Sequence, residues 1–276
     1  MRILHPTDFS QPAQKALALA RDVRERFSGT LHVVHAQRRS DVDRPASRPQ
    51  LDTFNPEMMN QLAEQRSAEV HKIQGMLSHM ASPDGTHELL WGNPVEELLA
   101  IQQRFDLVVM GAHGANRFDR YFLGGVAGRF VRRADVPTIT VREEATVTRV
   151  RRLLVATDFG DASAGAWEFA KKFADTGAEL VLAHVMDEGR SAGGAAANEA
   201  SDRLSALSAG LAERVVVREG EPVSVLPKLA QELGADLLVI GIRHHRAAIG
   251  LLLGNRADAL LRSSVVPVLS VPLHLY

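Results

Sequence analysis

Cysteine is absent from the 276 residues. That excludes disulfides, thiolate metal sites and a cysteine nucleophile, and it fits a reducing compartment. Net charge is nearly absent too: 32 Lys and Arg stand against 33 Asp and Glu, a formal balance of -1. A dedicated nucleic-acid binder would carry a basic excess, so no nucleic-acid partner is expected. No apolar run reaches the ~20 residues that span a bilayer, so no membrane partner is expected either. The N-terminus meets Pro6 straight after Ile3, Leu4 and His5. It lacks the apolar stretch of a signal peptide and reads as the first strand of a cytoplasmic protein. Also missing are a lysine phosphate loop, G-x-x-x-x-G-K-[ST], and the zinc-binding H-E-x-x-H. The first turn, residues 5–11, has no glycine, so the dinucleotide fingerprint fails. What remains is 45% hydrophobic and 24% charged, the mix of a globular protein. The length suits one large domain or two ordinary ones.

An internal repeat decides between them. ILHPTDF at 3–9 returns as LLVATDF at 153–159, an offset of 150. LHVVHA at 31–36 returns as LVLAHV at 180–185, aligning His35 with His184 at an offset of 149. FDLVVMG at 105–111, Gly124 and VPTITV at 136–141 return at an offset of 130, as ADLLVIG, Gly254 and VPVLSV. The chain is two copies of one unit, 1–144 and 150–276. The first copy carries roughly 20 extra residues between His35 and Phe105.

Each copy alternates short apolar runs with helical periodicity. In the first, residues 3–6 are a strand. Ser10 stands at a helix N-cap, followed by Ala13, Ala16, Leu17, Ala20 and Val23 at helical spacing. Residues 31–36 are a second strand, and 56–80 a long helix that ends at Ser82-Pro83-Asp84-Gly85. A short strand covers 88–91. Asn93 caps a helix with Pro94 in its first turn. Residues 107–111 form an apolar strand, 125–133 a helix and 138–141 a last strand. Strands buried on both faces, alternating with helices, imply a parallel sheet covered on both sides. The expected fold is α/β: two tandem, doubly wound, five-stranded parallel domains. Residues 37–55, polar and proline-bearing, and 191–197, rich in Gly and Ala, read as loops at the carboxyl end of the sheet, where ligands bind. They are either plain surface loops or lids.

After the fourth strand comes Gly111, two residues, Gly114, nine residues, then Gly124 and Gly125. Glycines at 111 and 114 would let backbone approach a ligand and adopt positive φ. Gly124 and Gly125 precede a helix whose free N–H groups would suit phosphate.

The PTDFS run, the strand ending at His35, the G-x2-G-x9-G loop and the closing VPTITV together resemble the universal stress protein family, over nearly the whole chain and twice. The resemblance implies a pseudo-twofold pair of domains within one chain, joined through the final strands 136–141 and 266–271. Whether whole chains pair further stays open. In the ATP-binding branch it implies ATP or a related adenine nucleotide, with or without Mg. Thr7 and Asp8 would contact the nucleoside and Ala36 would line the adenine. Met110, Gly111, His113 and Gly114 would surround ribose and phosphate. Gly124, Gly125 and Val126 would hold the phosphates. The family's motif places Ser or Thr where Gly125 stands here. The second copy keeps Asp158, Gly241 and Gly254, but His244 replaces the second glycine and Asn255 stands at the Ser/Thr position. A Cβ at His244 would crowd a phosphate, so binding is expected mainly in the first copy.

The eleven histidines show no metal-ligand spacing, and no metal site is assigned. His35 and His184 end matching strands and read as satisfied structural histidines. Arg129, Arg132 and Arg133, like Arg149, Arg151 and Arg152, read as solvated charge. No base to orient water is evident, so no catalytic residue is assigned, and hydrolysis would be slow at most. Two functions stay open: a nucleotide-binding stress-response module, and a nucleotide-independent protein-interaction module of the same fold.

Overall fold

The computed structural model describes residues 1–38, 56–112, 124–186, 194–247 and 250–273. The first copy runs β1 (Arg2–Pro6), α1 (Gln11–Arg26), β2 (Thr30–Gln37), α2 (Pro56–Ala81), β3 (Thr86–Trp91), α3 (Pro94–Ile101), a 3-10 turn, β4 (Leu107–Gly111), α4 (Gly125–Val131) and β5 (Thr138–Val141). The second runs β6 (Arg152–Ala156), α5 (Asp161–Ala174), β7 (Glu179–Met186), α6 (Gly194–Ser208), β8 (Arg214–Glu219), α7 (Pro222–Glu232), β9 (Leu237–Ile242), β10 (His244–Ala247), β11 (Gly250–Leu253), α8 (Asn255–Ser263) and β12 (Val268–Pro272).

Caps expected from the sequence form. The Ser10 side chain accepts from the Ala13 N–H, and Asn93 Oδ1 accepts from the Val95 N–H at 3.0 Å. Each satisfies a helix-terminal donor that would otherwise stay unpaired. Two readings need correction. Residues 194–197 open α6 rather than a loop; Ala195, Ala196 and Ala197 are strong helix formers and outweigh one glycine. The segment aligned with the glycine loop folds in the second copy into an antiparallel hairpin, β10 against β11. The expected lid at 37–55 lies, beyond residue 38, outside the described residues.

Ten strands form one sheet in the order β3-β2-β1-β4-β5-β12-β9-β6-β7-β8. Every neighbouring pair is parallel except β5 and β12, which are antiparallel. There Ile139 sits opposite Leu269, its own counterpart in the other copy, with Thr140 opposite Val268 and Thr138 opposite Ser270. The pseudo-twofold axis therefore passes through the Ile139–Leu269 pair. The Ser270 hydroxyl donates to the Thr138 carbonyl at 3.1 Å across this seam.

Two apolar cores lie on the two faces of the sheet, and each runs through both copies. One is packed by α1, α2, α5 and α6, with Ile3, Val109, Ile139, Leu269 and Val155 on its floor. The other is packed by α3, α4, α7 and α8 over Leu4, Val108, Met110, Leu238 and Val268. Alternate residues of one strand feed opposite cores, as the two-residue period demands. Phe27 and Phe173 meet edge to face across the copies at 5.0 Å, a contact worth about 0.5–1.5 kcal/mol beyond its area. The linker is tied to α1: the Lys15 ammonium donates to the Glu143 and Ala145 carbonyls, and the Val150 N–H donates to Asp22 at 2.9 Å.

His5 lies inside this frame. It is fully buried in β1, and its Nδ1–H donates to the Val109 carbonyl at 2.8 Å. Its Nε2 has no partner among the described residues. Burial pushes its pKa down to about 4. The second copy has Val155 at this position.

Candidate functional site

After β1 the chain leaves for β2 on one side and, later, β4 on the other. Such a reversal opens a crevice at the carboxyl ends of the strands. The turn leaving β1 is built tightly. The buried Thr7 donates its N–H to Val34 O at 2.8 Å, and its Oγ1 accepts from the Phe9 N–H at 3.0 Å. Phe9 takes φ 63°, a left-handed conformation that costs a non-glycine residue about 1 kcal/mol or more. His35 holds it in place: Nδ1–H donates to Thr7 O at 2.8 Å, and the imidazole lies 4.9 Å from the Phe9 ring. The second copy repeats all of this. Thr157 Oγ1 accepts from Phe159 N–H at 2.9 Å, Phe159 has φ 61°, and His184 Nδ1–H donates to Thr157 O at 2.8 Å. Both histidines are structural, as the sequence suggested.

Asp8 follows Thr7 and is exposed. Its Oδ1 accepts from the Ser10 N–H at 3.1 Å and from the Ser10 hydroxyl at 2.5 Å. Asp8 thus braces the cap of α1 with one oxygen and turns to solvent at the mouth of the crevice. Ala36, at the end of β2, is half-buried, and Met110, at the end of β4, is buried.

Gly111 is glycine for a reason the sequence did not reveal. A Cβ there would lie 2.9 Å from the Ala13 backbone nitrogen and 3.1 Å from Pro12 Cβ. The first turn of α1 rests directly on the end of β4. Gly241 is tighter, with a Cβ position 2.0 Å from the Ala162 carbonyl oxygen. Neither residue is among the positive-φ glycines. The expected positive φ at Gly111 is not found; helix–sheet contact is what requires glycine there. The expectation of free amides at 124–125 is also revised: the Gly124 N–H donates to the Ala112 carbonyl at 2.7 Å and ties the loop's two ends together. Gly125 and Val126 open α4, and Gly125 has space for a side chain, its nearest neighbour being the Arg129 guanidinium at 3.5 Å. Arg129 folds back so that Nε–H donates to the Gly125 carbonyl at 2.5 Å. His113 and Gly114 lie outside the described residues.

Thr7, Asp8, Ala36, Met110 and Gly111 thus come together along one edge, and the Gly124 bond returns Gly125 and Val126 to it. The second copy brings Asp158 and Gly241 to the matching edge, with Gly254 and Asn255 at the start of α8. It also brings Arg243, which sequence reasoning missed. Arg243 aligns with His113 at the offset of 130, and that was the available signal. Its guanidinium lies 3.7 Å from Asp161 and 3.1 Å from where a Gly160 Cβ would sit. Burial of the Asp158 carboxylate opposes its ionisation. The Ser163 hydroxyl at 2.7 Å, the Gly160 N–H at 2.9 Å and the Arg243 charge outweigh it and hold the pKa below the usual range. The second crevice thus carries a cation beside its carboxylate. The basic run of the first copy is not free charge either: Arg133 pairs with Glu96 and Arg132 with Asp258.

The sequence profile of the universal stress protein family matches residues 1–142 and again 149–272. A universal stress protein of Mycobacterium bovis is 27% identical over 202 residues, 66% of this chain and 67% of the relative. The stress response protein NhaX of Bacillus subtilis is 26% identical over 163 residues, 51% of this chain and 97% of its own length. Among solved structures, a universal stress protein of Archaeoglobus fulgidus superposes with a TM-score of 0.73 at 21% identity, covering 99% of this chain and 98% of the other. A putative universal stress protein of Pseudomonas aeruginosa gives 0.61 at 17% identity, covering 98% and 92%. These two likenesses are of fold. Matched twice in succession and folded as two copies about one axis, the chain belongs to the universal stress protein family as a tandem member.

Proposed function

We propose that this tandem universal stress protein is an adenine-nucleotide-binding regulatory module whose first copy, 1–144, holds ATP, while the second copy, 150–276, serves as its scaffold. The observation that carries this reading is the different charge beside two equivalent carboxylates. Asp8 accepts through Oδ1 from Ser10, and its Oδ2 has no partner among the described residues. Asp158 likewise accepts through Oδ1, from Ser163 and Gly160, but the charge of Arg243 also acts on it.

An adenosine fits what surrounds Asp8. An ionised carboxylate accepts only, so Oδ2 would take a hydrogen bond from a ribose hydroxyl or the adenine amine. Half-buried Ala36 and buried Met110 supply apolar surface for a base. The phosphates would meet the amides of Gly125 and Val126, with the Gly124 amide already engaged. Arg129, folded back to Gly125, is the nearby cation. The second copy fits the same ligand poorly, since Arg243 stands beside its carboxylate and a hairpin replaces its loop. That favours a scaffolding role for residues 150–276.

The test is a mass spectrum of the purified, gently unfolded chain, paired with calorimetric titration by ATP. About one adenine nucleotide per chain, or saturable binding of one ATP, is expected. A chain that carries none and binds none would leave the nucleotide-independent interaction module as the reading.

A further inference from the structure

In the second copy a cleft lies beside the turn that leaves β6, on the side of α6. It has a volume of about 270 Å³, just below the ~300–1,000 Å³ usual for small-molecule sites. Thr157, Phe159, Gly160, Ala164, Ala206 and Leu207 line it, and Arg203 from α6 stands over it. The Arg203 guanidinium lies 3.9 Å from the centre of the Phe159 ring.

The internal repeat explains why the cleft exists. Gly160 and Ala164 correspond to Ser10 and Gln14 at the offset of 150. In the first copy Ser10 caps the helix and Gln14 reaches over the turn to donate to the Phe9 carbonyl at 3.3 Å. Loss of both side chains leaves α5 without a side-chain cap and removes the hydrogen bond that Gln14 makes across the turn in the first copy. The Phe159 ring then serves as a platform for Arg203. A guanidinium over an aromatic face keeps its N–H groups for a ligand, and a planar carboxylate can take two parallel hydrogen bonds from it. Among the described residues no carboxylate pairs with Arg203; Asp161, at the start of α5, turns to Arg243 instead. A single cation above apolar walls suits one negative charge on an apolar body. A second negative charge would find no second cation among the lining residues.

We propose that this cleft binds a small monocarboxylate, its charge on Arg203 and its apolar body against Phe159, Ala164, Ala206 and Leu207. The proposal concerns the second copy and does not rest on ATP binding by the first.

The experiment is calorimetric titration of the full chain with benzoate, and with benzamide as its uncharged counterpart. Saturable benzoate binding is expected, with benzamide weaker. Arg203→Gln should weaken benzoate about tenfold, the loss of a charge-assisted but solvent-exposed pair. Ala164→Gln, which restores the first copy's residue, should abolish binding with the melting temperature retained. Saturating ATP should leave benzoate affinity unchanged. No saturable binding, equal affinity for benzamide, survival of binding in Ala164→Gln, or competition by ATP would each overturn the assignment. Arg203→Gln lies on an exposed helix face and keeps the test valid should Ala164→Gln unfold.

Discussion

Arg132 and Arg262 occupy the same position in the two copies, and both engage Asp258. Arg132 donates to Oδ1, and Arg262 Nε lies 2.7 Å from Oδ2. Gly128 is the first copy's residue at that position. One carboxylate thus separates two arginines that the pseudo-symmetry brings together. All three side chains are about a quarter exposed (21–33%). Asp258→Ala should cost about 1–3 kcal/mol, the value of hydrogen bonds to a charged group. At ~2–4 °C per kcal/mol for a chain of this size, the melting temperature should fall measurably, and less so in high salt. An unchanged urea midpoint would mean that the seam is held by strand pairing alone.

Gly111→Ala and Gly241→Ala should destabilise the fold whether or not nucleotide is present. Overpacking of this kind costs about 1–3 kcal/mol. The Gly241 variant should be the worse of the two, because its Cβ would sit 2.0 Å from a carbonyl oxygen against 2.9 Å from a nitrogen for Gly111. Denaturant titrations of both variants with and without ATP make the check. A loss seen only in nucleotide affinity would return Gly111 to the ligand.

His5 sets a pH dependence with a definite sign. Its folded pKa is about 4, below its ordinary 6.5. Between those values the unfolded chain binds the proton and the folded chain does not. Stability is therefore full above about pH 6.5 and falls as pH drops toward 4, by about 3 kcal/mol in all. His5→Val, copying Val155, should flatten that part of the profile. Parallel slopes for wild type and variant between pH 7 and pH 4.5 would exclude His5 as the source.

Asp8→Ala should weaken ATP binding about ten- to hundredfold, from ~1.5–3 kcal/mol for a hydrogen bond to a charged group. Asp8→Asn should be milder. Asp158→Ala should leave ATP affinity unchanged and lower the melting temperature instead, because its carboxylate serves Ser163 and Gly160. Asp8 also braces Ser10, so some thermal loss is expected there as well. Unchanged affinity in Asp8→Ala with a lowered melting temperature would assign the residue to capping alone.

A fragment of residues 1–144 should self-associate. Without β12 it would present Thr138–Val141 as an open edge, four residues that are all buried in the whole chain. Bare apolar edges pair with whatever strand is available. Sedimentation at micromolar concentration would decide; a soluble monomer would count against it.

Repeats and apolar runs made most of the architecture readable, because burial on both faces of a parallel sheet leaves an unbroken signature such as Leu107–Gly111. The hairpin β10–β11 was not readable, since alignment to the glycine loop masked it. The place of Asp8 at the carboxyl edge of the sheet was readable from its position after β1. The positive φ expected at Gly111 was misread, because the helix that fills its Cβ position is distant in sequence. Arg243, Arg203 and Asp258 act through partners on other elements, and no local pattern announces such pairings. His5 sat in a strand pattern that says nothing of whether its second ring nitrogen finds a partner.

Covalent fusion across the β5–β12 seam changes what evolution can do with it. A short tether keeps the two halves at an effective concentration of about millimolar, so their union does not depend on dilution or expression level. It also removes a constraint. In a dimer of identical subunits every substitution arrives in duplicate, and an aspartate beside the axis would bring a second, repelling carboxylate with it. Here one Asp258 serves two arginines, and Arg243 stands beside one carboxylate of an otherwise matching pair. A single gene product can thus hold two different halves in a stoichiometry that never varies.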